Sequence, residues 1–170
     1  TLDPDALPES ASVRGHVRGV EEIYGAGVHA MRAFFGPFRR VIVGLSGGID
    51  SAVAAAWIVD AVGAERVLTV NMPTPFNSPT TKNLAFQCAK NLGVEYKIAP
   101  IGNLVYETEK LLSHLGYKNL SGIVYENIQA RHRGGTVLAA IAAAEGGVFT
   151  NNGNKTEMAL NYFTLYGDGA

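Results

Sequence analysis

The chain has a single cysteine, Cys88, in 170 residues. No internal disulfide can form, and a reducing compartment is expected. Neither sign of charge is in excess: 14 Lys and Arg stand against 15 Asp and Glu, for a formal net charge of −1. That balance argues against a general nucleic-acid or membrane-surface role. No apolar run approaches the roughly 20 residues that cross a bilayer. The N-terminal residues carry no signal-peptide pattern. These absences predict a cytoplasmic protein without nucleic-acid or membrane partners. Internal repeats and low-complexity tracts are also lacking. What is present is globular: 47% apolar and 17% charged residues, in a length that supports one domain with a sizeable core. Cys88 lies in an apolar-periodic segment with Leu84, Phe86 and Leu92, so it reads as a packing residue.

Residues 1–12, with three acidic residues and two prolines, read as a mobile lead-in or linker. Residues 13–170 read as one domain. The first helix is predicted over 13–35, where Val17, Val20, Ile23, Tyr24, Val28, Met31 and Phe34 recur at three- and four-residue steps. Pro37 ends it. Short apolar strands then alternate with helices. Strands are predicted at Val41–Leu45, Val67–Met72, Val94–Ile98 and Gly147–Asn151. Helices are predicted at 51–62, from Thr80 or Thr81 to Leu92, at 103–115, and at 121–144 with a weak point at Gly134-Gly135. Pro73, Pro75 and Pro79 make the segment after the second strand a loop. The alternation implies an α/β fold: an open, mostly parallel, Rossmann-like sheet with helices on both faces.

The most informative stretch is Gly44, Leu45, Ser46, Gly47, Gly48, Ile49, Asp50 and Ser51, between the first strand and its helix. Gly47 and Gly48 let the backbone turn sharply and approach a ligand, because no Cβ intervenes. The N–H groups of such a turn and of the following helix converge on one point, a geometry that binds phosphate or pyrophosphate. The stretch lacks the Gly-Lys-Ser/Thr end of a Walker loop and is not Gly-x-Gly-x-x-Gly. Its plainer reading is a glycine-rich turn with Asp50 as helix cap.

Three further motifs follow. Glu126–Arg133 lies on the long helix, where Asn127 and Arg131 share a face. An Arg there can clamp phosphate or carboxylate, and otherwise the face is merely solvated. Asn152-Gly153-Asn154-Lys155-Thr156-Glu157 follows the fourth strand. Ligands of open parallel sheets sit beyond the C-terminal strand ends, so this segment and the first loop are expected to face one crevice. Lys155 can neutralise a phosphate there, and Glu157 can offer oxygen to Mg²⁺. The alternative is an ordinary Asn/Gly turn with a capped helix start. Tyr162–Asp168 reads by itself as an aromatic core segment ending in a turn.

The first motif resembles the pyrophosphate loop of the ATP pyrophosphatases, and the ordered set of four resembles NAD synthetase. The matching residues are Ser46–Ser51, Glu126–Arg133, Gly153–Glu157 and Thr164–Asp168, with the resemblance running from about residue 20 to the end. It is closest to the synthetase domain of the glutamine-dependent form, because Leu165 stands where the ammonia-dependent form has Lys. The resemblance implies an adenine-nucleotide α-hydrolase-like fold and a reaction. ATP adenylates the nicotinate carboxylate of deamido-NAD, pyrophosphate leaves, and free or glutamine-derived ammonia displaces AMP to give NAD. It also implies roles. Gly44–Ser51 hold ATP, with Asn152 and Lys155 beside them; Asp50 and Glu157 contact Mg²⁺; Arg131 and Asn127 contact deamido-NAD. A homodimer, a separate glutaminase domain and further substrate-binding segments beyond Ala170 are likewise implied. Asn152 stands where the family has Thr, and Gly134 where it often has Met. A nucleotide-binding module without catalysis, or another adenylating enzyme of the GMP-synthetase kind, is the alternative.

Overall fold

The computed structural model describes residues 19–75 and 79–169. The predicted lead-in, and the first helical turns expected from residue 13, lie outside them.

The sheet is built from the apolar runs. Strands β1 (Val41–Gly44) and β2 (Val67–Asn71) are flanked by β3 (Glu95–Ile98) and β4 (Val148–Phe149) in the order β3-β2-β1-β4. All pairs are parallel, with Val41 opposite both Val67 and Val148, and Leu68 opposite Glu95. Val41, Ile42, Val43, Val67, Leu68 and Val70 are fully buried. Continuous rather than alternating hydrophobicity fits this, since the two central strands are covered on both faces.

One face carries α1 (Val20–Phe35), α2 (Ile49–Val62) and α3 (Pro79–Leu92). There Val41, Val43 and Leu45 pack on Ala55, Ile58, Ala85 and Ala89. The other face carries α4 (Gly102–His114) and the long helical run. Ile42, Leu68 and Val70 pack there on Ile101, Val105, Leu138 and Ala142. The long run is α5 (Gly122–Arg131), a π-helical segment (His132–Leu138) and α6 (Ala139–Glu145). Its weak point at Gly134-Gly135 is therefore a widened turn, not a break.

Two expectations need adjusting. Val28, Met31 and Phe35 of α1 pack on the core, but Val20, Ile23 and Phe34 are 81%, 55% and 63% exposed. Helix α1 lies outside α2, so only one flank of its apolar face reaches the core; Tyr24 stacks on Trp57 with ring centroids 5.3 Å apart. Strand β4 is shorter than predicted. Its ladder continues through Thr150 N–H to Ile42 O, and then the Asn152 side-chain amide donates to Gly44 O at 2.9 Å. A side chain replaces the backbone in the ladder, and the chain veers away from β1. Cys88 is half-buried against the core, and burial pushes its thiol pKa up.

Candidate active site

The strand order sets the location. The chain moves outward from β1 to β2 and β3, then returns to the far side of β1 as β4. The crevice beyond the C-terminal ends of β1 and β4 is thus a topological switch point, where open α/β sheets bind ligands.

On the β1 side, two serines pre-form the loop. Ser51 Oγ donates to Gly48 O at 3.0 Å and lies 3.1 Å from Ser46 Oγ, which accepts from Gly48 N at 3.2 Å. Gly47 has φ +91, and a Cβ there would sit 2.2 Å from Thr81 O at the start of α3. Only glycine lets the two backbones approach so closely. The N-cap of α2 is Gly48, and no side chain caps the helix. Asp50 is therefore not the cap. The first N–H groups of this 14-residue helix carry no side-chain cap, and its first-turn residues Asp50 and Ser51 line the crevice, with a positive helix end behind them.

The β4 side differs. Helix α7 (Lys155–Ala159) is closed by a capping box. Asn154 Oδ1 accepts from Glu157 N at 2.9 Å, and Asn154 N donates to Glu157 Oε2 at 2.9 Å. The Asn154 amide also donates to Asp50 Oδ1 at 3.4 Å, across 104 residues of sequence. One asparagine thus ties together the two carboxylates that sequence reading assigned to Mg²⁺. Both line a cavity of about 410 Å³ with Ser46, Asn152 and Gly153. Among the described residues no three His, Cys, Asp or Glu side chains cluster for a metal. Two hard carboxylates completed by phosphate oxygens are a donor set that suits Mg²⁺, which takes few protein ligands beside a nucleotide.

The long helix and the C-terminal turn form the remaining wall. Thr164 Oγ1 donates to Asn127 Oδ1 at 2.6 Å, and Thr164 N donates to Asp168 Oδ1 at 2.6 Å. A second cavity, of about 310 Å³, lies here and includes Asn127, Gln129 and Thr164. The two cavities share Ala130, Arg133, Phe163 and Asp168. Arg133 donates to Met72 O at 3.4 Å and to Gln129 Oε1 at 3.3 Å. Burial lowers its pKa, and the nearby Asp168 carboxylate opposes that shift.

Most residues singled out from sequence converge. Gly44, Leu45, Ser46, Asp50, Ser51, Asn152 and Glu157 line the larger cavity, and Asn127 lines the smaller. The Asn152 side chain is already engaged, donating to Gly44 O and accepting from Thr150 Oγ1 at 2.9 Å each. Ile49 is 74% exposed, and Lys155 is exposed at the start of α7. Arg131 is exposed, donates to Leu165 O at 3.3 Å, and lines neither cavity. Sequence reading gave no role to Asn154, Arg133 or Asp168, although all three fall inside the quoted motifs. Their signal was motif membership alone, since neither spacing nor hydropathy separates them from their neighbours.

Fold and site together define an open parallel α/β domain of the Rossmann-like, nucleotide-binding kind, with a glycine-rich loop after its first strand. The NAD synthase family model matches residues 35–170, and the chain belongs to that family. It is 43% identical over 131 residues to the glutamine-dependent NAD(+) synthetase of Synechocystis, covering 77% of this chain and 23% of that protein. It is 38% identical over 151 residues to the same enzyme of Acinetobacter baylyi, covering 88% and 28%. The chain thus spans about a quarter of these relatives' lengths. Among solved structures it resembles a glutamine-dependent NAD⁺ synthetase from Acinetobacter baumannii in complex with ADP, with a TM-score of 0.83 and 40% identity over 86% of this chain and 28% of that one. It also resembles an NMN synthetase from Francisella tularensis, with a TM-score of 0.74 and 27% identity over 86% and 61%.

Proposed function

We propose that this chain carries the site at which ATP adenylates the carboxylate of deamido-NAD and ammonia converts the adenylate to NAD. The carrying observation is the uncapped N-terminus of α2 facing the same cavity as two carboxylates held together by Asn154. A carboxylate is a poor electrophile, and adenylation gives it a good leaving group. Charge develops on the departing pyrophosphate, so fixed N–H donors aimed at it lower the barrier. The Gly44–Ser51 loop and the first turn of α2 supply those donors, and Lys155 adds a positive charge on the β4 side. Asp50 and Glu157 would hold Mg²⁺, which neutralises phosphate charge when bound. Glu157 commits only Oε2 to the capping box. Asn127 stands in the wall of the second cavity, and Arg131, exposed beside the same C-terminal turn, is assigned to the acceptor's phosphates. The ADP held by the Acinetobacter baumannii relative supports adenine nucleotide as the first substrate.

We assign ammonia, free or delivered from glutamine by a glutaminase domain, as the nitrogen source, on the strength of the glutamine-dependent relatives. Homodimerisation is proposed from the family resemblance, with the exposed apolar side chains Tyr106 and Leu111 of α4 and Ile123 of α5 as the candidate contact residues. No helix among the described residues is long and apolar enough to cross a membrane. The test is incubation of the full-length protein with deamido-NAD, Mg-ATP and ammonium. NAD and AMP should form in equal amounts. Release of ADP, or ATP binding without amide formation, would replace this reading with phosphoryl transfer or a non-catalytic nucleotide module. A mononucleotide acceptor in a parallel assay covers the chemistry named for the Francisella neighbour.

A further inference from the structure

The two cavities meet at a cation. Ala130, Arg133, Phe163 and Asp168 are their shared wall, and Arg133 is the one permanent positive charge among these four. The larger cavity is lined by Gly44, Ser46, Asp50 and Ser51 of the glycine-rich loop region and by Glu157. On the amidation reading, an acceptor held in the smaller cavity meets the α-phosphorus of an ATP held in the larger one across this shared wall. At the junction a carboxylate and a triphosphate, both anions, have to come into contact. Their repulsion in a partly desolvated crevice is large unless a fixed cation offsets it.

Arg133 is built for that position. Its side chain is half-buried and anchored by neutral acceptors: Met72 O at the end of β2 and Gln129 Oε1 one turn back on α5. Among the described residues it makes no ion pair within 4.0 Å. Its charge is thus positioned but not neutralised by direct contact. The other carboxylate of the junction, Asp168, is turned to the Thr164 N–H through Oδ1. Neighbouring side chains leave the helix elsewhere: Arg131 toward Leu165 O, and His132 toward Thr108 Oγ1 at 2.8 Å. We propose that Arg133 receives the carboxylate of the acceptor at the junction of the two cavities, and so selects the acid over its amide. This inference rests on the amidation reading above and specifies how the acceptor is recognised.

The acid and amide forms of the acceptor make a clean test, because they differ at the group in question. Calorimetry on the full-length protein would compare deamido-NAD, NAD and Mg-ATP for wild type and Arg133→Met. Loss of a charge-assisted contact should weaken deamido-NAD roughly 10- to 100-fold. NAD, which places no carboxylate on Arg133, should stay within about threefold, and Mg-ATP, whose cavity Arg133 also lines, should lose less than deamido-NAD. Arg133→Lys should recover part of the loss, because it keeps the charge but not the planar fork. Arg133→Gln, which keeps a donor for Met72 O, replaces the methionine variant if that one does not fold. Unchanged affinity for deamido-NAD would overturn the proposal. An equal loss for all three ligands would overturn it too and make Arg133 a structural anchor. Wild-type protein that binds Mg-ATP but not deamido-NAD would defeat the amidation reading itself.

Discussion

Asn154 shows how much one side chain can carry. Its carbonyl oxygen caps α7, its N–H holds Glu157, and its amide reaches Asp50. Capping and carboxylate bridging can be separated, because serine caps as well as asparagine but is too short to reach Asp50. Asn154→Ser should leave stability to urea within about 0.5 kcal/mol, whereas Asn154→Ala should lose about 1 kcal/mol. Both should weaken Mg-ATP binding about three- to tenfold, the worth of one ordinary hydrogen bond, since the contact to Asp50 is long at 3.4 Å. Titration calorimetry with Mg-ATP checks this, and unchanged affinity in the serine variant would leave Asn154 as a helix cap only. The motif resemblance singled out the two carboxylates but not the amide between them. A contact across 104 residues leaves no periodic trace.

Among the elements, the π-helical segment matters most to the site. It begins directly after α5 and contains Arg133 and Gly134. Wide π turns recur at functional sites because they redirect side chains within a helix. Here the turn also lets another backbone in. A Cβ on Gly134 would lie 2.0 Å from Gly167 O, in the turn that carries Thr164 and Asp168. That turn is thus docked on the helix backbone itself. Gly134→Ala should push it away, at a cost of about 1–3 kcal/mol for overpacking a buried contact. Chemical denaturation measures the cost, and proteolysis after Tyr162 or Tyr166 should accelerate as the turn loosens. If Gly134→Ala matches wild type in both, the docking seen here does not persist in solution. The sequence placed a weak point at Gly134-Gly135. Whether it kinked, broke or widened the helix depended on a segment about 30 residues away.

For the whole molecule, the sheet is braced at the end opposite the site. Arg40, just before β1, reaches over β2 to Glu95 of β3, and Lys97 pairs with both Glu95 and Glu145. The hydrogen bond from Arg40, followed by that from Lys97, holds the Glu95 pKa below its ordinary value. A depressed carboxylate pKa stabilises the fold above the unfolded-state value of about 4.3, and that contribution disappears as pH falls through the folded-state value. Glu95 is 46% exposed, so solvent screening keeps the contribution below about 1 kcal/mol. Glu95→Gln should therefore be less stable than wild type at pH 6, and the gap should close by about pH 3. Urea unfolding at the two pH values measures it; parallel curves would show that the pair does not form in solution.

The sequence alone determined the layers and the direction of the sheet. Runs such as Val41–Val43 and Val67–Val70, with Thr69 their single polar residue, have no charged face, so burial on both sides suits them, and helix-length connections fit parallel pairing. It also located the glycine-rich turn between β1 and α2, because such a turn is local chemistry. The tertiary structure decided what those pieces face. The order β3-β2-β1-β4 brings Asp50 beside Asn154 and Glu157. The sheet end, the widened helix and the C-terminal turn place Arg133, rather than Arg131, between the cavities. Two arginines of one motif, separated by one residue, look equivalent in sequence. Only packing fixes which one points inward, because that depends on which neighbouring backbone offers a carbonyl: Met72 for one, Leu165 for the other.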